Sequence, residues 1–110
     1  MSSLGFRAAT FRTVVVLLPL LAGCSAEQHG QDLFESHCAD CHEETHPDLK
    51  KQPPHLEGLF HSKSLPSGAP ATDEQVQKTI LLGIGIMPAF NGRLSEKEVR
   101  DIVKYLHTLK

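Results

Sequence analysis

Cys38-Ala39-Asp40-Cys41-His42 is the stretch on which the reading of this chain turns. Two thiols stand two residues apart and an imidazole follows at once. Four chemistries use such a set. A dithiol pair of the thioredoxin kind needs a βαβ context around it. A structural zinc site needs four ligands, so Cys38, Cys41 and His42 would have to recruit His46, His55 or His61. A plain disulfide needs only the two sulfurs. In the fourth case both sulfurs form thioethers to the two vinyl groups of a haem, and the next residue lies under the metal, where its imidazole binds iron.

The flanking sequence favours the fourth. Gly30, Leu33, Phe34 and His37 recur at i, i+3, i+4 and i+7, so a helix from about Glu27 to Ser36 leads into the motif. Prolines 47, 53, 54, 66 and 70 keep residues 47–70 mostly irregular. Thr72-Asp73-Glu74-Gln75 has capping-box spacing, which opens a helix over Asp73 to Leu82 that stops at Gly83. Ser95-Glu96-Lys97-Glu98 is a second capping box, for a helix from about Glu96 to Thr108 whose apolar face is Val99, Ile102, Val103, Leu106 and Leu109. No segment reads as a strand. The class is all-α, with three main helices and long loops, and the βαβ context of a dithiol enzyme is missing.

An iron held by His42 needs a second axial ligand to stay low-spin. The chain has two methionines, and Met1 belongs to the leader described below, which leaves Met87. It sits in Gly83-Ile84-Gly85-Ile86-Met87-Pro88-Ala89-Phe90, a Gly-Pro loop and not a helix face, although the commonest place for a methionine is a core. The flanking glycines are expected to let the backbone pass close to the porphyrin edge. His/Met ligation raises the reduction potential relative to bis-His. His55 and His61 are the alternative sixth ligands and read as loop histidines near solvent or a propionate. His29, His37, His46 and His107 carry no assigned role.

At this point the chain resembles class I c-type cytochromes. The residues that carry the likeness are Gly30 and Phe34, Cys38 to His42, Pro54-His55-Leu56-Glu57-Gly58-Leu59-Phe60, Met87-Pro88-Ala89-Phe90 and Tyr105-Leu106. It implies a small cytochrome c fold wrapped around one covalently bound haem c. It also implies that the Pro54 carbonyl accepts from the other nitrogen of His42, and that Gly30 and Phe34 cross the Val99 to Leu106 face, with Gly30 permitting close approach. The chain departs from the pattern in having no Trp to anchor a propionate and no arginine in His61-Ser62-Lys63. The short run from Lys63 to Met87 suggests a trimmed, more open haem edge.

The N-terminus reads as an export signal. Arg7 and Arg12 precede the apolar run Val14 to Leu21, and small residues close it. As a membrane anchor the run is too short for roughly 30 Å of hydrocarbon and contains Pro19. Leu21-Ala22-Gly23-Cys24 looks like a bacterial lipobox, in which Cys24 becomes a lipid-modified first residue; ordinary cleavage would instead leave a lone thiol in an oxidising compartment. The expected organisation is a signal peptide over 1–23, a tether over 24–29 and a cytochrome domain over 30–110, anchored on the periplasmic side of a membrane. Loss of the leader takes the net charge from −2 to −4, an acidic balance that argues against nucleic acid. The remaining 87 residues make a thin core, which a haem would augment: several hundred Å² of apolar porphyrin at about 25 cal/mol per Å² contributes several kcal/mol.

These residues suit a one-electron carrier, monomeric or part of a respiratory complex, exchanging electrons with protein redox partners through the haem edge near Ala39 and the Met87 loop. The alternatives are a haem c subunit of a membrane-bound dehydrogenase or oxidase and a haem peroxidase or gas sensor. No acid–base group for the last is recognisable, His55 being the nearest.

Overall fold

The computed structural model describes Gly5 and residues 25–110; Cys24 and, Gly5 apart, the expected signal peptide over 1–23 lie outside them. The chain runs α1 (Ala26–His37), α2 (Ala39–His42), a 3-10 turn (Leu59–His61), α3 (Asp73–Leu82) and α4 (Glu96–Leu106). Among the described residues there are isolated bridges, Ser64–Pro70, Ile84–Met87 and Asn91–Leu94, and no strand. No helix there is long and apolar enough to cross a membrane.

The helices begin where side chains replace missing backbone partners. Ser25 accepts from the Gln28 N–H at 3.1 Å, so α1 starts at Ala26 and residues 26–29, read as tether from the sequence, form its first turn. Ser95 and Glu98 form a reciprocal capping box, with Ser95 Oγ accepting from Glu98 N at 3.2 Å and Glu98 Oε2 from Ser95 N at 2.7 Å. The box expected at Thr72 is half-formed. Thr72 Oγ1 accepts from Gln75 N at 3.3 Å, but the Thr72 N–H already donates to the Pro70 carbonyl at 2.9 Å and leaves Gln75 nothing to receive.

The core lies where α1 crosses α4. Val99, Ile102, Val103 and Leu106 form the buried face of α4, and Phe34 packs into it from α1. The Phe34 ring sits 5.3 Å from that of Tyr105 at 53°, one of the favoured aromatic geometries. A Cβ on Gly30 would overlap the Asp101 carbonyl oxygen, so only glycine admits this crossing. From α3, Val76 and Ile80 complete the core with Leu65, Phe90 and Leu94 from the loops.

Two polar ties secure α4. Asp101, 2 % exposed, is bonded to His29 Nδ1 of α1 at 2.9 Å and accepts from Lys97 Nζ at 2.7 Å. Past the end of α4, His107 stacks on Phe60 at 3.7 Å and 13° and meets Asp73, the first residue of α3, through Nε2 at 2.6 Å. Neither His29 nor His107 had a role from the sequence.

Candidate functional site

The helix that carries Phe34 delivers the Cys38 to His42 stretch. The Cys38 N–H still bonds back to the Phe34 carbonyl at 2.8 Å, but the residue's own φ and ψ (−122°, −41°) depart from helix. The chain then winds one further turn as α2. Cys38 is half-buried, Cys41 is exposed, and both are free thiols. Burial pushes the Cys38 thiol up to about 11, the neighbouring Cys41 adding to the effect. An attacking thiol of a redox pair needs the opposite, a lowered value.

His42 is positioned from the far side of the loop. Its Nδ1 donates to the Pro54 carbonyl at 2.7 Å. A carbonyl only accepts, so the proton is on Nδ1 and the lone pair of the neutral ring is on Nε2. Pro53-Pro54 fixes the backbone at that carbonyl. The neutral ring is therefore held in one tautomer with Nε2 free of that bond.

Met87 is held in a tight loop between α3 and α4. Ile84 and Met87 exchange backbone bonds, N to O at 3.2 Å and 2.9 Å, across a turn whose first central residue, Gly85, has φ 56°. Gly83 has φ 71°, and a Cβ there would lie 2.5 Å from the Met87 carbonyl oxygen and 2.8 Å from Ala89 N. Its glycine serves the close passage of the chain's own Met87–Ala89 backbone, not only clearance for a bound group. Phe90 and Asn91 then return to α3 through bonds to the Ile80 and Leu81 carbonyls at 3.0 Å and 3.1 Å. The Met87 side chain is half-buried against the core. Leu82, Ile84 and Ile86 beside it are 59 %, 53 % and 70 % exposed.

The donor set suits a haem: two thiols in one turn, an imidazole with Nε2 free, and a thioether in a rigid loop. The rival readings of the motif find less. The described residues contain no group of three or more His, Cys, Asp and Glu side chains gathered to hold a metal ion, and no βαβ unit surrounds the thiols. His55 and His61 are exposed, with His55 Nδ1 4.0 Å from Glu57. His46 is instead half-buried and bonded to the Asp40 carbonyl.

Residues 25–106 match the model of a protein family described as cytochrome c oxidase, cbb3-type, subunit III. The chain belongs to that family. It is a class I c-type cytochrome in sequence pattern and in fold. Among solved structures, this cytochrome is similar to cytochrome c6 from the diatom Phaeodactylum tricornutum, with 26 % identity, a TM-score of 0.56, and coverage of 73 % of this chain and 88 % of that one. Cytochrome c6C from Synechococcus sp. PCC 7002 shares the fold at 22 % identity and a TM-score of 0.50, covering 71 % of this chain and 89 % of its own. No curated protein sequence matches this cytochrome.

Sequence reasoning missed three polar ties around the site: His29 to Asp101, His107 to Phe60 and Asp73, and His46 with Gln52 to Asp40. The partners of the first two lie 72 and 34 residues away in the chain, and no local pattern marks them. The third had a local signal in His46-Pro47-Asp48, since Pro after the first residue is a turn signature.

Proposed function

We propose that this cytochrome is a one-electron carrier that holds one haem c through thioethers from Cys38 and Cys41, with His42 and Met87 as the axial ligands of the iron. The observation that carries it is the 2.7 Å bond from His42 Nδ1 to the Pro54 carbonyl, which in the neutral ring puts the lone pair on Nε2. When bound, the haem supplies a one-electron Fe(II)/Fe(III) couple. The Pro54 carbonyl raises the basicity of the imidazole and holds its plane. Met87 would supply a thioether as the second ligand, which favours the reduced state. Ligation by both His42 and Met87 would leave no place on the iron for a substrate, which suits electron transfer over catalysis. Leu82, Ile84 and Ile86 put exposed apolar groups beside Met87, the edge at which a partner comes near.

The test is spectroscopic. The mature protein keeps its haem colour through acid–organic extraction, and Cys38→Ala with Cys41→Ala abolishes it. A haem-free mature mass carrying one zinc ion would overturn the reading.

The leader and Leu21-Ala22-Gly23-Cys24 support export and diacylglyceryl modification of Cys24, with the domain on the periplasmic side of a membrane. A second reading, a haem subunit built into a membrane-bound oxidase, is favoured by the description of the matching family. Purification from detergent-solubilised membranes separates the two: a free carrier elutes alone, and a subunit elutes with its complex.

A further inference from the structure

The loop that joins α2 to Pro54 is tied by one side chain. His46-Pro47-Asp48-Leu49 makes a turn, with Leu49 N donating to the His46 carbonyl at 3.0 Å. Gln52 folds back into it. Its Nε2 donates to the His46 carbonyl at 2.6 Å and to the Leu49 carbonyl at 3.0 Å, and its Oε1 accepts from the His46 N–H at 2.8 Å. Backbone carbonyls only accept and backbone N–H groups only donate, so this amide has a single satisfactory orientation. Gln52 is exposed, yet it bonds three backbone groups, of which the His46 N–H and the Leu49 carbonyl would otherwise turn to water.

His46 carries the tie across to the thiol turn. Its Nε2 donates to the Asp40 carbonyl at 2.8 Å, one of the acceptors that the short α2 leaves without a helical partner. Asp40 lies between Cys38 and Cys41, two residues before His42. On the other side, Gln52 is followed directly by Pro53 and Pro54, whose fixed φ transmits the position of Gln52 to the Pro54 carbonyl. The bonds close a ring from Asp40 through His46, Gln52 and Pro54 to His42 and back along α2.

We propose that Gln52 and His46 are positioning residues for His42. They hold the Pro54 carbonyl on the His42 Nδ1–H and so set the orientation and basicity of the imidazole. The inference rests on the reading of His42 as a haem ligand, because only then does the ring's orientation reach the redox centre. The side-chain bonds of Gln52 go to His46 and Leu49 and none to His42, so it acts through Pro54. A glutamate at this position keeps the acceptor for His46 N–H but sets carboxylate oxygen against two carbonyls, so it does not substitute.

The experiment uses the reduced holoprotein and follows exchange of the His42 Nδ1 proton by nuclear magnetic resonance, with the reduction potential as a second readout. Gln52→Ala and Gln52→Glu each speed that exchange about tenfold, as loss of a hydrogen bond of ordinary strength would, and both raise the potential as the ring becomes a weaker donor. The amides of Val99, Ile102 and Val103 in α4 keep wild-type protection. Unchanged His42 exchange in both variants overturns the proposal. So does an equal loss of protection in α4, which would make Gln52 a general stabiliser of the fold. A wild-type protein without a haem spectrum would be a different failure, that of the haem reading itself, and is seen before any variant is made.

Discussion

Gly30 has the least freedom of any residue in α1. A methyl group there would occupy the space of the Asp101 carbonyl oxygen, and backbone cannot step aside as a flexible side chain can. Gly30→Ala should therefore force α1 and α4 apart and destabilise the holoprotein by about 1–3 kcal/mol or more, seen as a lowered melting temperature in calorimetry. Ala at the exposed Glu35 should cost within ~0.5 kcal/mol and serves as the control. The closeness at Gly30 was legible from sequence, through the likeness to class I cytochromes. Gly83 was legible only in part. A glycine ending a helix before a methionine loop reads as a stop and as clearance, whereas the Met87 carbonyl and Ala89 nitrogen fill the space where its Cβ would be. Such a contact arises when the loop folds back, and spacing along the chain does not encode it. Met87 itself has a spectroscopic test. Its thioether should give the oxidised protein a weak red-region sulfur-to-iron charge-transfer band that Met87→Ala removes. An unchanged spectrum in the variant would pass the ligand to a histidine.

Among the elements, α4 supplies the largest share of the core, Val99, Ile102, Val103 and Leu106. Its capping box gives the clearest test of a local rule: Ser95→Ala should cost about 0.5–2 kcal/mol in a denaturant titration, because the Glu98 N–H at its start loses its fixed acceptor, Ser95 Oγ. Asp101 links the same helix to pH. Its bonds from Lys97 and His29 hold its carboxyl below the usual carboxylate range against the opposing effect of burial. A carboxyl with a depressed folded value contributes stability that is full above its unfolded value of ~3.9 and is lost as the pH falls through the folded one. Thermal melts from pH 7 down to pH 2 should show Asp101→Asn well below the wild type at neutral pH, with the gap closing in acid. A gap independent of pH would contradict the role of the charge. The spans of the helices followed from periodicity and caps, and α3 runs over Asp73–Leu82 as those signals require. α4 ends at Leu106, because Thr108 turns back onto the Tyr105 carbonyl through both its N–H (2.8 Å) and its hydroxyl (2.7 Å). His29 and His107 escaped the reading for a different reason. Polar side chains choose partners from what the fold brings near, and Asp101 and Asp73 are distant in sequence.

At the scale of the whole molecule, a small helical scaffold presents a thiol turn, an oriented imidazole and a thioether loop, and a covalent haem would complete its core. The leader adds a claim about place. Cys24→Ser should prevent lipidation and release the protein from the membrane fraction, whereas the wild type should leave membranes only with detergent; unlipidated wild type in the soluble periplasm would refute the anchor. The fold class was legible because caps, periodicity and the thiol motif agreed. The redox partner was not, since an acidic net charge and an exposed apolar edge describe many encounters. The central claim, a closed iron that carries electrons, meets its most direct test in a carbon monoxide titration of the reduced holoprotein near neutral pH, monitored by its absorption spectrum. With His42 and Met87 both bound, folded protein whose oxidised form shows the charge-transfer band should take up little carbon monoxide; stoichiometric uptake by the same sample would contradict the account.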